Sequence, residues 1–207
     1  MPARQSGSEA CGVIGGPVWL SLDLATAAPF GSRATVIGVA EDCSRVRTPI
    51  LQAELAAEDG YFGERLAAGR AELVRVWRAR AACLTPSPGG TDIIGAMQLG
   101  HELVVGPSRR PNRNVVVIFS EMRNAAAILN LETPHLESPD AMLRMLKRRT
   151  GIADLTGVTV YVIGANGGGK DIRDWQTIKR FWIACFRKAG ARCAGYSTLI
   201  PLPTLAP

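Results

Sequence analysis

The sequence predicts an α/β fold in three layers, with a mostly parallel central sheet and helices on both faces. Apolar, β-branched segments alternate along the chain with longer segments of helical periodicity, the order typical of parallel strands joined by crossover helices. The run Val158 to Ile163 is almost continuously apolar, as in a strand buried on both faces. A length of 207 residues, 47% of them hydrophobic, suits one substantial core. We therefore expect a single domain over residues 17–200, between flexible segments at 1–16 and 201–207.

The first two strands are predicted by composition and by the turn between them. Val18 to Leu24 and Ala34 to Ala40 are rich in β-branched and large apolar residues, and Pro29 and Gly31 lie between them. A connection this short, containing proline, is unsuited to the usual crossover helix. We expect either that the first crossover helix is lost or that the second strand pairs antiparallel with the first.

A long helical region is predicted from Pro49 onward. The proline- and glycine-rich segment 86–90 ends it, because proline cannot continue a helix. Thr91 is expected to be the N-cap of the next helix, which runs to about Val104. Four apolar residues of the long region share one stripe of a helix: Leu66, Leu73, Trp77 and Leu84.

The C-terminal half predicts alternating strands and helices. A strand covers Val115 to Phe119, and Ser138-Pro139 offers a hydroxyl cap and a proline at the first helical position. That helix ends at Lys147 to Arg149. After the strand at Val158, a last helix leads to a short strand from Arg192 to Tyr196. The apolar face of this helix is formed by Ile172, Trp175, Ile178, Trp182, Cys185 and Ala189.

Net charge and cysteine content indicate which partners, sites and cellular compartment the sequence favours. Twenty-four basic residues against eighteen acidic ones give a formal charge of +6, which favours acidic partners without requiring them. Five cysteines without a CxxC pair indicate neither a zinc site nor a disulfide framework, and favour the cytoplasm. The apolar run Gly12 to Ala28 is interrupted by Pro17 and Asp23, so we expect neither a signal peptide nor a membrane span.

Polar residues mark the predicted carboxyl ends of the strands. Asp23 follows the first strand, Thr91 follows a double glycine, and Glu121 follows the strand that starts at Val115. The carboxyl ends of parallel strands meet at one edge of a sheet, where ligands bind in open α/β folds. Carboxylate and hydroxyl oxygens are the ligands that hard cations such as Mg²⁺ prefer.

In this arrangement the sequence resembles the von Willebrand factor A domain family over roughly Pro17 to Tyr196. The resemblance implies a divalent cation site, Mg²⁺ or Mn²⁺, at the sheet edge. In that family the first strand ends in a DxSxS motif, a later loop supplies a threonine, and an aspartate follows the fourth strand. Asp23 matches the first aspartate, Thr91 the threonine, and Glu121 stands at the second aspartate.

The motif is degenerate, because the segment Asp23-Leu24-Ala25-Thr26-Ala27 has alanine at both serine positions. These alanines offer no oxygen to a cation, so we expect that no cofactor is required. The resemblance then implies a non-enzymatic adaptor or scaffold that binds a protein partner at the carboxyl edge of its sheet.

Gly164 to Lys170 offers a second hypothesis, because it satisfies the pattern GxxxxGK between a strand and a helix. A nucleotide-binding enzyme of the P-loop kind would use Gly164, Gly169 and Lys170 to cradle phosphate. The following residue, however, is Asp171 rather than the hydroxyl that would hold magnesium. A glycine turn in which Asp171 caps the helix is the favoured interpretation.

Basic residues leave a third hypothesis, a nucleic-acid-binding protein. Arg109, Arg110, Arg113 and Arg123 lie around one strand, and Lys147 to Arg149 end a helix. Cations in the last turn of a helix complement its dipole in any soluble protein, so a solvated surface is favoured. The aromatic residues of the last helix are better explained as core than as stacking platforms for bases.

No catalytic residue is predicted. His101 lies within a predicted helix and His135 in an irregular loop, and neither has the context of a nucleophile motif.

Overall fold

The computed structural model describes residues 13–14, 33–39, 42–43, 49–56, 58, 60–82, 85–86, 89–105 and 114–198. In chain order the elements are β1 (Val13–Ile14), β2 (Arg33–Val36), β3 (Leu51–Glu54), α1 (Glu64–Ala81), β4 (Thr85–Pro86), α2 (Ile93–Gly100), β5 (Asn114–Phe119), α3 (Pro139–Arg149), β6 (Val158–Ile163), α4 (Ile172–Lys188) and β7 (Arg192–Ser197). Helix α2 continues into a π-helical turn, His101–Val105. None of the described helices is long and apolar enough to cross a membrane.

Strands β5, β6 and β7 form a parallel sheet in that order, joined by α3 and α4. Their carboxyl ends lie side by side. The N–H of Ser120, just after β5, donates to the carbonyl of Ile163 at 3.0 Å, and the N–H of Gly164 donates to the carbonyl of Ser197 at 3.1 Å. The predicted strands in this half of the chain are confirmed, and their ends meet at one edge as the parallel arrangement requires.

The main core covers one face of this sheet. Val158, Val160 and Val162 of β6 are buried, and they pack in one cluster with residues of α2, α3 and α4. The alternate residues of β6 are half-buried, so one face of this strand is more deeply buried than the other. A three-stranded parallel sheet flanked by helices is present, but the described residues show no second helical layer.

Helices α3 and α4 begin as their sequences predict. Ser138 caps α3 by accepting from the N–H of Ala141 at 3.3 Å, and Pro139 follows it. Asp171 caps α4, since its Oδ1 accepts from the N–H of Asp174 at 2.8 Å. Helix α4 contributes most of the aromatic core through Phe181, Trp182 and Phe186. Ile172 departs from the predicted apolar face: it lies in the first turn, and it is 70% exposed.

The region after Pro49 differs from the prediction. A continuous helix was expected there, but Leu51–Glu54 is strand β3, which pairs antiparallel with β2. The segment alternates buried Leu51 with exposed Gln52, and pairing with β2 outweighs its high helix propensity. Helix α1 begins only at Glu64. Its predicted stripe is confirmed at Leu66, Leu73 and Trp77, while Leu84 lies outside the described residues.

Several predicted features lie outside the described residues. These include the strand Val18 to Leu24, with its pairing to the second strand, and the tail 201–207. The predicted second strand, Ala34 to Ala40, corresponds to β2. Its described pairing is antiparallel with β3. The short strands β1 and β4 pair parallel with one another.

Candidate functional site

Three loops of the described chain meet at the carboxyl edge of the sheet. They are the β5 loop (120–125), the glycine loop (164–170) that follows β6, and the cap turn (89–92) that precedes α2. The cap turn is joined to the β5 loop by a reciprocal backbone pair. The N–H of Thr91 donates to the carbonyl of Ala125 at 3.0 Å, and the N–H of Ala125 donates to that of Thr91 at 2.9 Å. The turn carrying Thr91 therefore lies against the loop carrying Glu121.

Thr91 is not the N-cap of α2, contrary to the prediction. The cap is Asp92, whose Oδ1 accepts from the N–H of Gly95 at 2.9 Å. Its Oδ2 also accepts from the N–H of Cys43 at 3.2 Å, so one buried carboxylate serves two segments. Threonine and aspartate are both good caps. Asp92 can accept from Gly95 and Cys43 at once because its carboxylate has two oxygens. This favours Asp92 over the neighbouring Thr91 as the cap.

Asn124 completes the cap from the β5 loop. Its Oδ1 accepts from the N–H groups of Ile93 and Ile94 at 2.8 and 3.2 Å, two of the donors that the start of a helix leaves unpaired. Its Nδ2 donates to the carbonyl of Leu129 at 2.6 Å. The side chain is fully buried. Sequence analysis missed this residue, since an asparagine in a loop gives no signal for a helix start thirty residues earlier.

The backbone at Met122 directs Glu121 to the surface. Met122 has φ 62, a conformation uncommon for residues other than glycine. Its side chain is buried, its N–H donates to Ser120 Oγ at 3.0 Å, and its carbonyl accepts from Trp182 Nε1 at 2.7 Å. These bonds hold the loop, and the Glu121 side chain remains 53% exposed at the edge.

Four charged side chains form what we call the edge ion cluster: Glu121, Arg123, Glu132 and Lys170. Arg123 is its centre, with Nη2 at 2.6 Å from Glu132 Oε2 and Nη1 at 3.4 Å from Glu121 Oε2. The hydrogen bond that Arg123 donates to Glu132 raises the pKa of Arg123 above its usual range. Burial opposes ionisation of Glu132, but Arg123 and Lys170 together lower its pKa. Both shifts favour the charged forms, so Arg123 and Glu132 form an ion pair.

The glycine loop is tied into this cluster. Lys170 Nζ lies 3.5 Å from Glu132 Oε2, with a side chain only 10% exposed, and the carbonyl of Gly168 accepts from Arg123 Nη1 at 2.8 Å. Two of its N–H groups are already used: Gly168 donates to Asn166 Oδ1 and Lys170 to the carbonyl of Gly167. The predicted cap by Asp171 is confirmed, while Gly164 and Gly169 have φ 88 and 75. The N–H groups of Gly168 and Lys170 are therefore bonded within the turn rather than directed at a ligand.

Of the three predicted cation ligands, two can be located. Thr91 and Glu121 lie on joined loops at the same edge, whereas Asp23 lies outside the described residues. Within the described part of the chain, no three His, Cys, Asp or Glu side chains are grouped closely enough to hold a metal ion.

Two further residues that the sequence analysis considered, Arg149 and His101, make structural contacts. Arg149 Nη1 donates to the carbonyls of Ala127 and Ile128, while Arg109, Arg110 and Arg113 lie outside the described residues. His101 Nδ1 lies 2.6 Å from the carbonyl of Asp154.

The described cysteines Cys43, Cys185 and Cys193 form no disulfide, and burial raises the pKa of Cys185 to about 12. A thiol with so high a pKa is a poor nucleophile. Cys11 and Cys83 are not among the described residues.

A comparison of the chain with protein-family models, with curated proteins and with solved structures finds no match in any of the three.

Proposed function

We propose that this protein is a von Willebrand factor A-like, non-enzymatic interaction module that binds a protein partner at the carboxyl edge of its parallel sheet. The observation that carries the proposal is the backbone pair between Thr91 and Ala125. It joins the cap turn to the β5 loop at the edge where the resemblance expects a threonine loop and an acidic loop to meet.

The edge suits recognition because it is held in one conformation. Its loops are fixed by buried hydrogen bonds that Asp92 and Asn124 accept and that Trp182 donates, so little order has to be gained when a partner binds. Arg123 makes its short contact with Glu132 and a longer one with Glu121. Glu121 is therefore the acidic group of the edge ion cluster most accessible to a basic side chain of a partner.

The same carboxylate is the residue that would hold a cation together with Thr91 and Asp23. With both serines of the motif replaced, a bound ion would retain several waters, and a partner carboxylate could complete its shell. The nucleotide-binding alternative draws no support from the glycine loop, because Lys170 is paired with Glu132 and the loop's N–H groups at Gly168 and Lys170 are already bonded.

The cation is tested by thermal unfolding with and without millimolar Mg²⁺ or Mn²⁺. A ligand at about 100 times its Kd stabilises the folded state by about 2.7 kcal/mol, a rise of a few degrees in Tm for a chain of this size. We expect this rise for the wild type and for the control Glu137→Ala, but not for Asp23→Ala or Glu121→Ala. If neither the wild type nor any variant responds, the protein binds no cation at this edge, and the proposal is reduced to a metal-free adaptor.

Partner binding is tested by placing a photoreactive benzoylphenylalanine at position 121 in the cell, with position 147 as an exposed control on α3. We expect a discrete crosslinked product from position 121 and none from position 147. Excess wild-type chain should compete for the partner, whereas Glu121→Arg should not, because it reverses the charge at the centre of the surface. Equal products from both positions, or competition by the reversed variant, would refute an interaction surface at this edge.

A further inference from the structure

The turn before α1 presents two aromatic side chains to solvent. Tyr61 is 92% exposed and Phe62 is 90% exposed, and their rings form an edge-to-face pair with centroids 5.3 Å apart. Gly60 and Gly63 flank them with φ 83 and 76. The N–H of Phe62 donates to Glu64 Oε2 at 2.7 Å. We call residues 60–63 the aromatic turn: it is a hydrogen-bonded structure that holds both rings outward.

Such a turn is unfavourable in water unless something covers it. Single exposed apolar residues are normal, but two adjacent aromatic rings lose the benefit of burying 150–250 Å² each. Aromatic residues are also enriched at the centres of protein interfaces. Exposed Glu58 and Glu64 flank the turn in the chain, against one exposed arginine, Arg65, and the hydrogen bonds to Glu64 lower its pKa. The aromatic turn is therefore an apolar tip with an acidic border.

A groove with an apolar floor and a basic border, complementary to the aromatic turn, lies between α3 and α4. It runs between the start of α3 and the outer side of α4, with a volume of about 400 Å³, within the range of pockets that bury small organic groups. Ile183, 39% exposed, and Ala184 give it an apolar floor. Its remaining lining residues are Pro139, Asp140, Arg180 and Arg187. We call it the α3–α4 groove: two arginines against one aspartate make its border basic.

We propose that the aromatic turn of one copy docks into the α3–α4 groove of a second copy. The rings of Tyr61 and Phe62 cover Ile183 and Ala184, and Glu58 and Glu64 face Arg180 and Arg187. Charge complementarity selects this occupant, because an acidic tip meets a basic border on a chain whose overall charge of +6 would otherwise repel a copy of itself.

The two surfaces belong to different elements, so one such contact joins two copies head to tail. A pair joined by one such contact still offers one free turn and one free groove, so the assembly grows with concentration. The contact is small, so it belongs with weak, transient interfaces. A lipid surface is the less suitable occupant of the turn, because acidic residues beside the rings are repelled by anionic headgroups.

The experiment is sedimentation velocity from about 10 µM to about 1 mM, the range over which weak interfaces assemble. The wild type is expected to associate as the concentration rises. The turn variant Tyr61→Ser/Phe62→Ser and the groove variant Ile183→Glu should each associate at least about tenfold more weakly, as expected for loss of a central residue. Ile172→Ser, which removes another exposed apolar side chain of α4, should behave like the wild type.

The decisive experiment mixes the turn variant with the groove variant. The turn variant retains its groove and the groove variant retains its turn. Together they should therefore form a one-to-one pair that cannot grow further. A monomeric wild type throughout the range, or a mixture that does not pair, overturns the proposal. Binding of wild-type chain, but not the turn variant, to phosphatidylcholine vesicles in the absence of self-association would instead assign the turn to a membrane surface. Glu121→Ala should associate like the wild type, since this contact does not use the carboxyl edge.

Discussion

Asn124→Ala is expected to lower the free energy of unfolding by about 3 kcal/mol, measured by urea denaturation. The amide accepts from the N–H groups of Ile93 and Ile94 and donates to the carbonyl of Leu129. Truncation leaves these three groups without a partner in a site from which water is excluded, and each unsatisfied buried group costs about 1 kcal/mol or more. The start of α2 and the β5 loop should both lose order, because a single side chain joins them.

Asn130→Ala is the matched control, since it removes the same amide from an exposed position nearby. Asn130 Oδ1 accepts from the N–H of Glu132 at 2.8 Å. Loss of this bond should cost less than about 1 kcal/mol, because water replaces the missing acceptor. Equal effects of the two substitutions would show that the buried contacts of Asn124 contribute no more than a surface turn.

Gly90→Ala is expected to cost about 3 kcal/mol or more, measured in the same way. A Cβ at this position would lie 1.7 Å from the carbonyl oxygen of Ala125, the atom that accepts from the N–H of Thr91. That neighbour is backbone and cannot rotate away, so the pair between Thr91 and Ala125 must break. The loss combines two hydrogen bonds with the strain of a displaced turn.

Gly100→Ala serves as its control, because a Cβ there meets only Ile37 Cδ1, at an ordinary 3.7 Å. Gly100 lies at the end of α2, where alanine is favoured over glycine by about 0.5 to 1 kcal/mol. We expect this variant to equal or exceed the wild type in stability. A Gly90→Ala protein as stable as Gly100→Ala would mean that the cap turn is not held against the β5 loop.

The elements that sequence predicts well are those in which local signals agree. For α3, a capping serine, a following proline and a basic last turn all indicate the same bounds, and the helix runs from Pro139 to Arg149. Strands β5 and β6 are rich in apolar and β-branched residues, so pattern and propensity coincide. The sequence also predicts that loops meet at the carboxyl edge, because parallel strands necessarily bring their ends together.

What the sequence does not reveal depends on partners far away along the chain. Ile93 and its acceptor Asn124 are 31 residues apart, and Cys43 and Asp92 are 49 apart. The choice of Asp92 over Thr91 as the cap is made by such contacts. Leu51 likewise forms a strand because β2 lies beside it, an influence that no local window of sequence contains.

The apolar side chains of the described chain separate into cores of unequal size. Leu51, Leu73 and Trp77 join β3 to α1, and they share no buried residue with the large cluster beneath the parallel sheet. The aromatic turn precedes α1, while the α3–α4 groove and the carboxyl edge belong to the larger unit. Substitutions in the smaller unit would therefore affect the proposed association of copies without altering the surface proposed to bind a partner. Natural selection could adjust the two properties separately.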